Sequence, residues 1–129
     1  MMAYPTKVTE VNIDEALKAS LQQSTEGVTI VHCTYINFYQ ETVGVRIWQE
    51  TVLEPDNGED AKLLHAIGIT VAPEWMFTNK YHVKFTLIFE RLPSQCKWFN
   101  MVERISEQGA FTVMGIQRNE SDVYRIDIQ

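Results

Sequence analysis

Three histidines, two cysteines and three tryptophans are the residues of this 129-residue chain whose types could do chemistry. His32, His65 and His82 could between them hold a catalytic zinc with one coordination position open. Zinc ligands commonly include a close pair such as HxH or HxxxH, and the sequence has none. His32 lies in an apolar stretch and reads as a hydrogen-bonded core or half-core histidine. Cys33 follows it directly, and neighbours on a strand point to opposite faces, so the pair forms no Cys–His dyad by itself. Cys96 sits beside Lys97, whose charge lowers a thiol pKa modestly. Two cysteines can pair or stay free, and a domain of this length needs no bridge. The reading assigns no catalytic residue, no metal ligand and no cofactor.

Carboxylates are plentiful, among them Glu41, Glu50, Glu54, Asp56, Glu59, Asp60, Glu90 and Glu103. A glycosidase needs two of them about 5–10 Å apart across a cleft, a separation that sequence cannot place. The run Glu54, Asp56, Asn57, Glu59, Asp60 offers loop oxygens suited to calcium, but lacks the spacing and terminal Glu of an EF-hand loop. It reads as a solvated turn. No Gly-rich phosphate loop, GxSxG elbow or CxxC pair occurs. The tryptophans Trp48, Trp75 and Trp98 are therefore the candidate ligand-binding residues. Aromatic rings stack on sugar faces and anchor protein interfaces. Trp75, with Met76 and Phe77, follows Pro73 between expected strands, and an aromatic cluster on a loop is more informative than one inside a strand.

Strands must position these side chains. In HVKFTLIFE (82–90), Val83, Phe85, Leu87 and Phe89 share one face, with Ile88 an exception on the other. That period of two marks a strand with one face on a core, and Pro93 stops it. VTIVHCTYI (28–36) is apolar on both faces and reads as a central strand. In VGVRIWQETVL (43–53), Val43, Val45 and Ile47 share a face opposite Trp48, and the pattern then blurs toward a bulge. AFTVMGIQ (110–117) and VYRIDI (123–128) flank RNESD, a polar turn of hairpin length. Residues 6–13 predict a first strand. IDEALKASLQQ, with Ile13, Leu17 and Leu21 four apart, predicts a short helix. KLLHAIGI fits either a capped helix or two strands kinked at Gly68.

The chain length fits one domain, spanning residues 1–129. The formal net charge is −6, from 17 acidic and 11 basic residues. The basic residues are spread along the chain rather than clustered, which argues against nucleic acid as partner. No apolar run reaches the ~18–20 residues of a membrane span. MMAYPTKVTE lacks the apolar core of a signal peptide, so the expectation is a cytoplasmic chain, or an exported one whose leader was removed.

GVTIVHCTYINFY (27–39), VRIWQETVL (45–53), AKLLHAIGI (61–69), KFTLIFERLP (84–93), CKWFNMVE (96–103) and FTVMGIQRN (111–119) together resemble a small immunoglobulin-like β-sandwich module common in Bacteroidetes proteins. The resemblance covers most of the chain from about residue 27 onward. It implies strands for AKLLHAIGI, a cell-envelope setting and no catalytic motif. The expected fold is thus all-β: an antiparallel immunoglobulin-like sandwich of about seven to nine strands. Its core would draw on Val31, Tyr35, Val45, Ile47, Phe85, Leu87, Phe89, Phe111, Val113, Ile126 and Ile128. The expected function is a non-catalytic module mediating protein interaction or structural support. The alternatives are a carbohydrate-binding module using Trp48, Trp75 and Trp98, and a hydrolase whose site is assembled only in three dimensions. An unknown protein or a glycan is the expected partner.

Overall fold

The computed structural model describes residues 27–39, 41–106 and 109–128. The expected helix at 13–23 and strand at 6–13 lie outside the described residues. Within them the chain is all-β, with nine strands: β1 (Val28–Ile36), β2 (Val43–Val45), β3 (Thr51–Pro55), β4 (Ala61–Ile67), β5 (Met76–Thr78), β6 (His82–Glu90), β7 (Trp98–Glu103), β8 (Thr112–Gln117) and β9 (Val123–Ile128). Seven form one sheet in the order β8-β7-β3-β4-β6-β1-β9, while β2 and β5 pair as a separate ribbon.

Two features correct the expected all-antiparallel pairing. β1 and β9 run parallel, with Val31 beside Tyr124 and Cys33 beside Ile126. The polar turn between β8 and β9 joins no hairpin either, because it delivers the two strands to opposite edges of the sheet. Asp122 in that turn has φ 54°, a left-handed conformation that Asp tolerates better than most residues. Asn119 fixes the turn: its Oδ1 accepts from Asp122 N at 2.7 Å and its Nδ2 donates to Val123 O at 2.9 Å.

The sheet curls until its edges approach, making a nearly closed barrel. Phe99 of β7 meets Tyr124 of β9 edge-to-face, centroids 4.9 Å apart, although the two strands lie far apart in the sheet order. Arg118 ties the same end. Its Nη1 donates to the carbonyls of Pro93 and Cys96, and its Nε and Nη2 bind Asp122 at 3.1 Å each.

The alternation read in the sequence explains the core. Val31 and Cys33 of β1 face Leu87 and Phe85 of β6, and each of the four is buried. Leu53, Leu63, Phe89, Phe99 and Met101 complete the layer. Tyr35, Val45, Phe111, Val113 and Ile126 pack against it partly buried. In β4 a bulge falls between Leu63 and His65. It turns Leu64 outward and restores Ala66 to the core face, beside Leu87. Ile88, the exception in the β6 pattern, is also buried, on the outer face beside Ile30. No helix among the described residues is long and apolar enough to cross a membrane.

Candidate binding site at the barrel mouth

The ends of β1, β7 and β9, the starts of β6 and β8, and the β2–β5 ribbon surround a cavity of about 320 Å³ at one end of the barrel. Its walls include Val45, Ile47, Ile69, Val83, Phe85 and Phe111. This size is at the lower end of small-molecule sites, and barrel mouths are a common place for them.

Three polar side chains line it: Tyr35, Arg46 and Glu103. The chain leaves β2 at Val45 and joins the ladder again only at Thr51. Between them, Ile47 is anchored by its N–H to Thr70 O at 2.9 Å and by its carbonyl to Ala72 N at 2.8 Å. This detour breaks the single strand expected over 43–53, and it presents Arg46 and Trp48 to the cavity. The Arg46 guanidinium lies 3.7 Å from the Trp75 ring centroid and 4.7 Å from that of Trp48, distances at which both rings attract it by cation–π interaction. Its Nη1 donates to Pro73 O at 3.0 Å, while its Nε is buried without a partner among the described residues. Gly44 admits the Trp75 ring: a Cβ there would meet Trp75 Cε3 at 3.1 Å and Phe77 Cε1 at 3.2 Å.

Glu103 at the end of β7 is 6% exposed. Its Oε2 accepts from Trp48 N and its Oε1 from Phe111 N, each at 3.3 Å. Burial pushes its pKa up, and the two N–H donors only partly oppose this. The folded chain therefore keeps this proton to a higher pH than the unfolded chain does. Between the two titration points the folded state binds more protons, so the contribution of Glu103 to stability falls as pH rises and is level on either side. Denaturant titrations of wild type and Glu103→Gln should show the wild type losing ground across that acid window. A stability difference that stays flat from pH 4 upward would overturn the assignment.

Of the three tryptophans, the structure brings Trp48 and Trp75 together on Arg46 and leaves Trp98 out. Trp98 opens β7 at the opposite end, beside Gln117 of β8. The sequence reading missed Arg46 and Glu103 as cavity residues; the only available signal was Arg46 two positions before Trp48.

The mouth also carries exposed aromatics. Phe77 is 69% and Trp75 50% exposed. Phe38 and Tyr81, on adjoining loops joined by Asn37 N to Tyr81 O at 2.8 Å, meet edge-to-face with centroids 6.0 Å apart.

The other candidates fall elsewhere. His32 Nδ1 and Thr86 Oγ1 share a 2.8 Å hydrogen bond on the outer face, and burial, then Arg125, lowers the pKa of His32. His65 and His82 are exposed. Cys33 and Cys96 are both free and buried, and burial pushes the Cys33 thiol up to about 12. In the acidic turn, Glu54 and Asp60 both bind Arg104, and Asp56 accepts from Lys97 N at 3.0 Å. Among the described residues no three His, Cys, Asp or Glu side chains converge as a metal-holding group. Comparisons with protein-family models, with curated proteins and with solved structures return no match.

Proposed function

We propose that this chain is a non-catalytic binding module that engages a protein partner with the barrel mouth. The observation that carries the reading is the gathering of Phe38, Trp75, Phe77 and Tyr81, all at least half exposed, on neighbouring segments at one end. Large aromatics are the side chains most enriched at interface hot spots, and several exposed at one end of a domain point to a partner. The polar groups of the adjoining cavity support a binding role over a hydrolytic one: both oxygens of Glu103 accept from backbone N–H groups, and Arg46 is held by cation–π contact with two indoles. The immunoglobulin-like, envelope-associated module suggested by the sequence resemblance belongs to the same proposal. Its support is the all-β architecture of short strands.

The half-exposed indole of Trp75 favours one second reading, in which the same surface stacks on a glycan. A random-peptide display selection on the wild type, paired with a glycan array, separates the two. Selected peptides should lose at least tenfold in affinity on Trp75→Ser/Phe77→Ser. Glycans bound by the wild type and lost in that variant would replace protein with carbohydrate as the partner. Peptides that bind both proteins equally would sink the aromatic mouth as the recognition surface.

A further inference from the structure

We infer that the cavity behind the aromatic mouth binds a small carboxylic acid, its carboxylate on Arg46 and its apolar body against the core. The inference stands on Arg46 and the cavity wall; it shares only Trp75 with the proposed partner surface and needs no macromolecule at the rim.

Arg46 is the first support. Two other arginines of this acidic chain hold carboxylates: Arg104 pairs with Glu54 and Asp60, and Arg118 with Asp122. Arg46 pairs with none among the described residues, although it lines the same cavity as Glu103. A guanidinium has five N–H donors in a fixed fork. Among the described residues one is used, on Pro73 O, and the buried Nε–H meets no acceptor. A buried donor left unpaired is costly. The fork is held by cation–π contact with Trp48 and Trp75 before any ligand arrives. A planar carboxylate matches it with two parallel hydrogen bonds, the strongest pairing an arginine makes.

The cavity itself is the second support. Its walls are aliphatic and aromatic side chains of the barrel interior, such as Val83, Phe85 and Phe111, so the body of the ligand is hydrocarbon. At about 320 Å³ it accommodates a phenyl ring or a medium alkyl chain rather than a nucleotide. Glu103 fixes the ligand's orientation. An anionic headgroup is repelled from the Glu103 carboxylate and drawn to Arg46, which turns the apolar body toward Val83, Phe85 and Phe111.

The test uses 3-phenylpropanoate and octanoate at neutral pH, with the corresponding amides as neutral counterparts of the same shape. Binding is read by tryptophan fluorescence and by calorimetry. Trp48 and Trp75 report on the cavity, and a Trp98→Phe background removes the emission from the opposite end. The acids should bind at least tenfold tighter than the amides. Arg46→Gln should bring the acids down to the level of the amides, and Arg46→Lys, which keeps the charge but loses the fork, should fall between. Equal binding of acid and amide, or acid binding untouched by Arg46→Gln, overturns the carboxylate assignment while leaving the cavity as a site. No binding of any probe at millimolar concentration overturns the cavity site as well. None of these outcomes touches the peptide selection on Trp75 and Phe77, so the two proposals fail separately.

Discussion

Leu87→Ala lowers the unfolding free energy by about 2–5 kcal/mol, the range for a large aliphatic side chain removed from a core that relaxes only partly. Leu87 is fully buried at the middle of β6, with Val31 of β1 on one side and Ala66 of β4 on the other. Both neighbouring strands are held in register by the ladder, so the backbone has little freedom to collapse into the space left behind. The transfer and cavity terms then add. Urea denaturation should show a lower midpoint with an unchanged slope, and the melting temperature should fall by a few degrees per kcal/mol. Leu64, on the outward side of the β4 bulge and 45% exposed, supplies the control. Its alanine variant should stay within about 0.5 kcal/mol of wild type. A melting curve unaltered by Leu87→Ala would remove the barrel interior as described.

Arg118→Met costs about 2–4 kcal/mol, more than the truncation of any exposed arginine. The side chain serves three residues on two segments: Pro93 O and Cys96 O between β6 and β7, and Asp122 before β9. Its removal leaves two carbonyls and a half-buried carboxylate without their donor, and breaking one side of a shielded ion pair is where such pairs matter most. Arg118→Lys should recover only part of the loss, because a point charge cannot serve three acceptors in different directions. Arg104 binds Glu54 at 2.5 Å and Asp60 at 2.6 Å, shorter than the Arg118–Asp122 pair, yet its side chain is 46% exposed. Arg104→Met should therefore cost no more than about 1 kcal/mol. If the two variants lose the same stability, Arg118 does not close the barrel.

Alternation carried most of the strand reading. β6 stands where the period-two pattern places it, and β1 where the run apolar on both faces reads as a strand flanked on both sides. The pattern failed where backbone irregularities entered. In β4 the bulge after Leu63 puts Ala61, Leu63 and Ala66 inward, a mixed spacing that imitates a helix as easily as a strand. In the 43–53 stretch Val45, Ile47, Thr51 and Leu53 keep an inward parity, but Gln49 between them is exposed, because a turn closed by Thr51 N on Trp48 O at 3.0 Å lifts the chain off the ladder. Pairing was the least legible layer. A five-residue polar turn between two apolar runs promises a hairpin, and nothing local reveals that β1 and β7 compete successfully for the two strands. The site was legible only as residue types. Trp48, Trp75 and Trp98 look equivalent in sequence, and topology alone divides them between the two ends of the barrel.

The parallel pairing of β1 with β9 also sets the order in which this protein can mature. The first and last described strands lie side by side in the sheet, so its longest-range ladder has the greatest loop-closure entropy to overcome. A chain emerging from the ribosome can pair β6 with β4 and β1, and then β7 with β3, while Val31 and Cys33 still lack their neighbours in β9. The edge of β1 stays unpaired in the nascent sheet until β9 arrives. Folding that depends on such distant pairing is slow, in the millisecond-to-second range, and throughout that interval the unpaired edge of β1 is the segment most available to another chain.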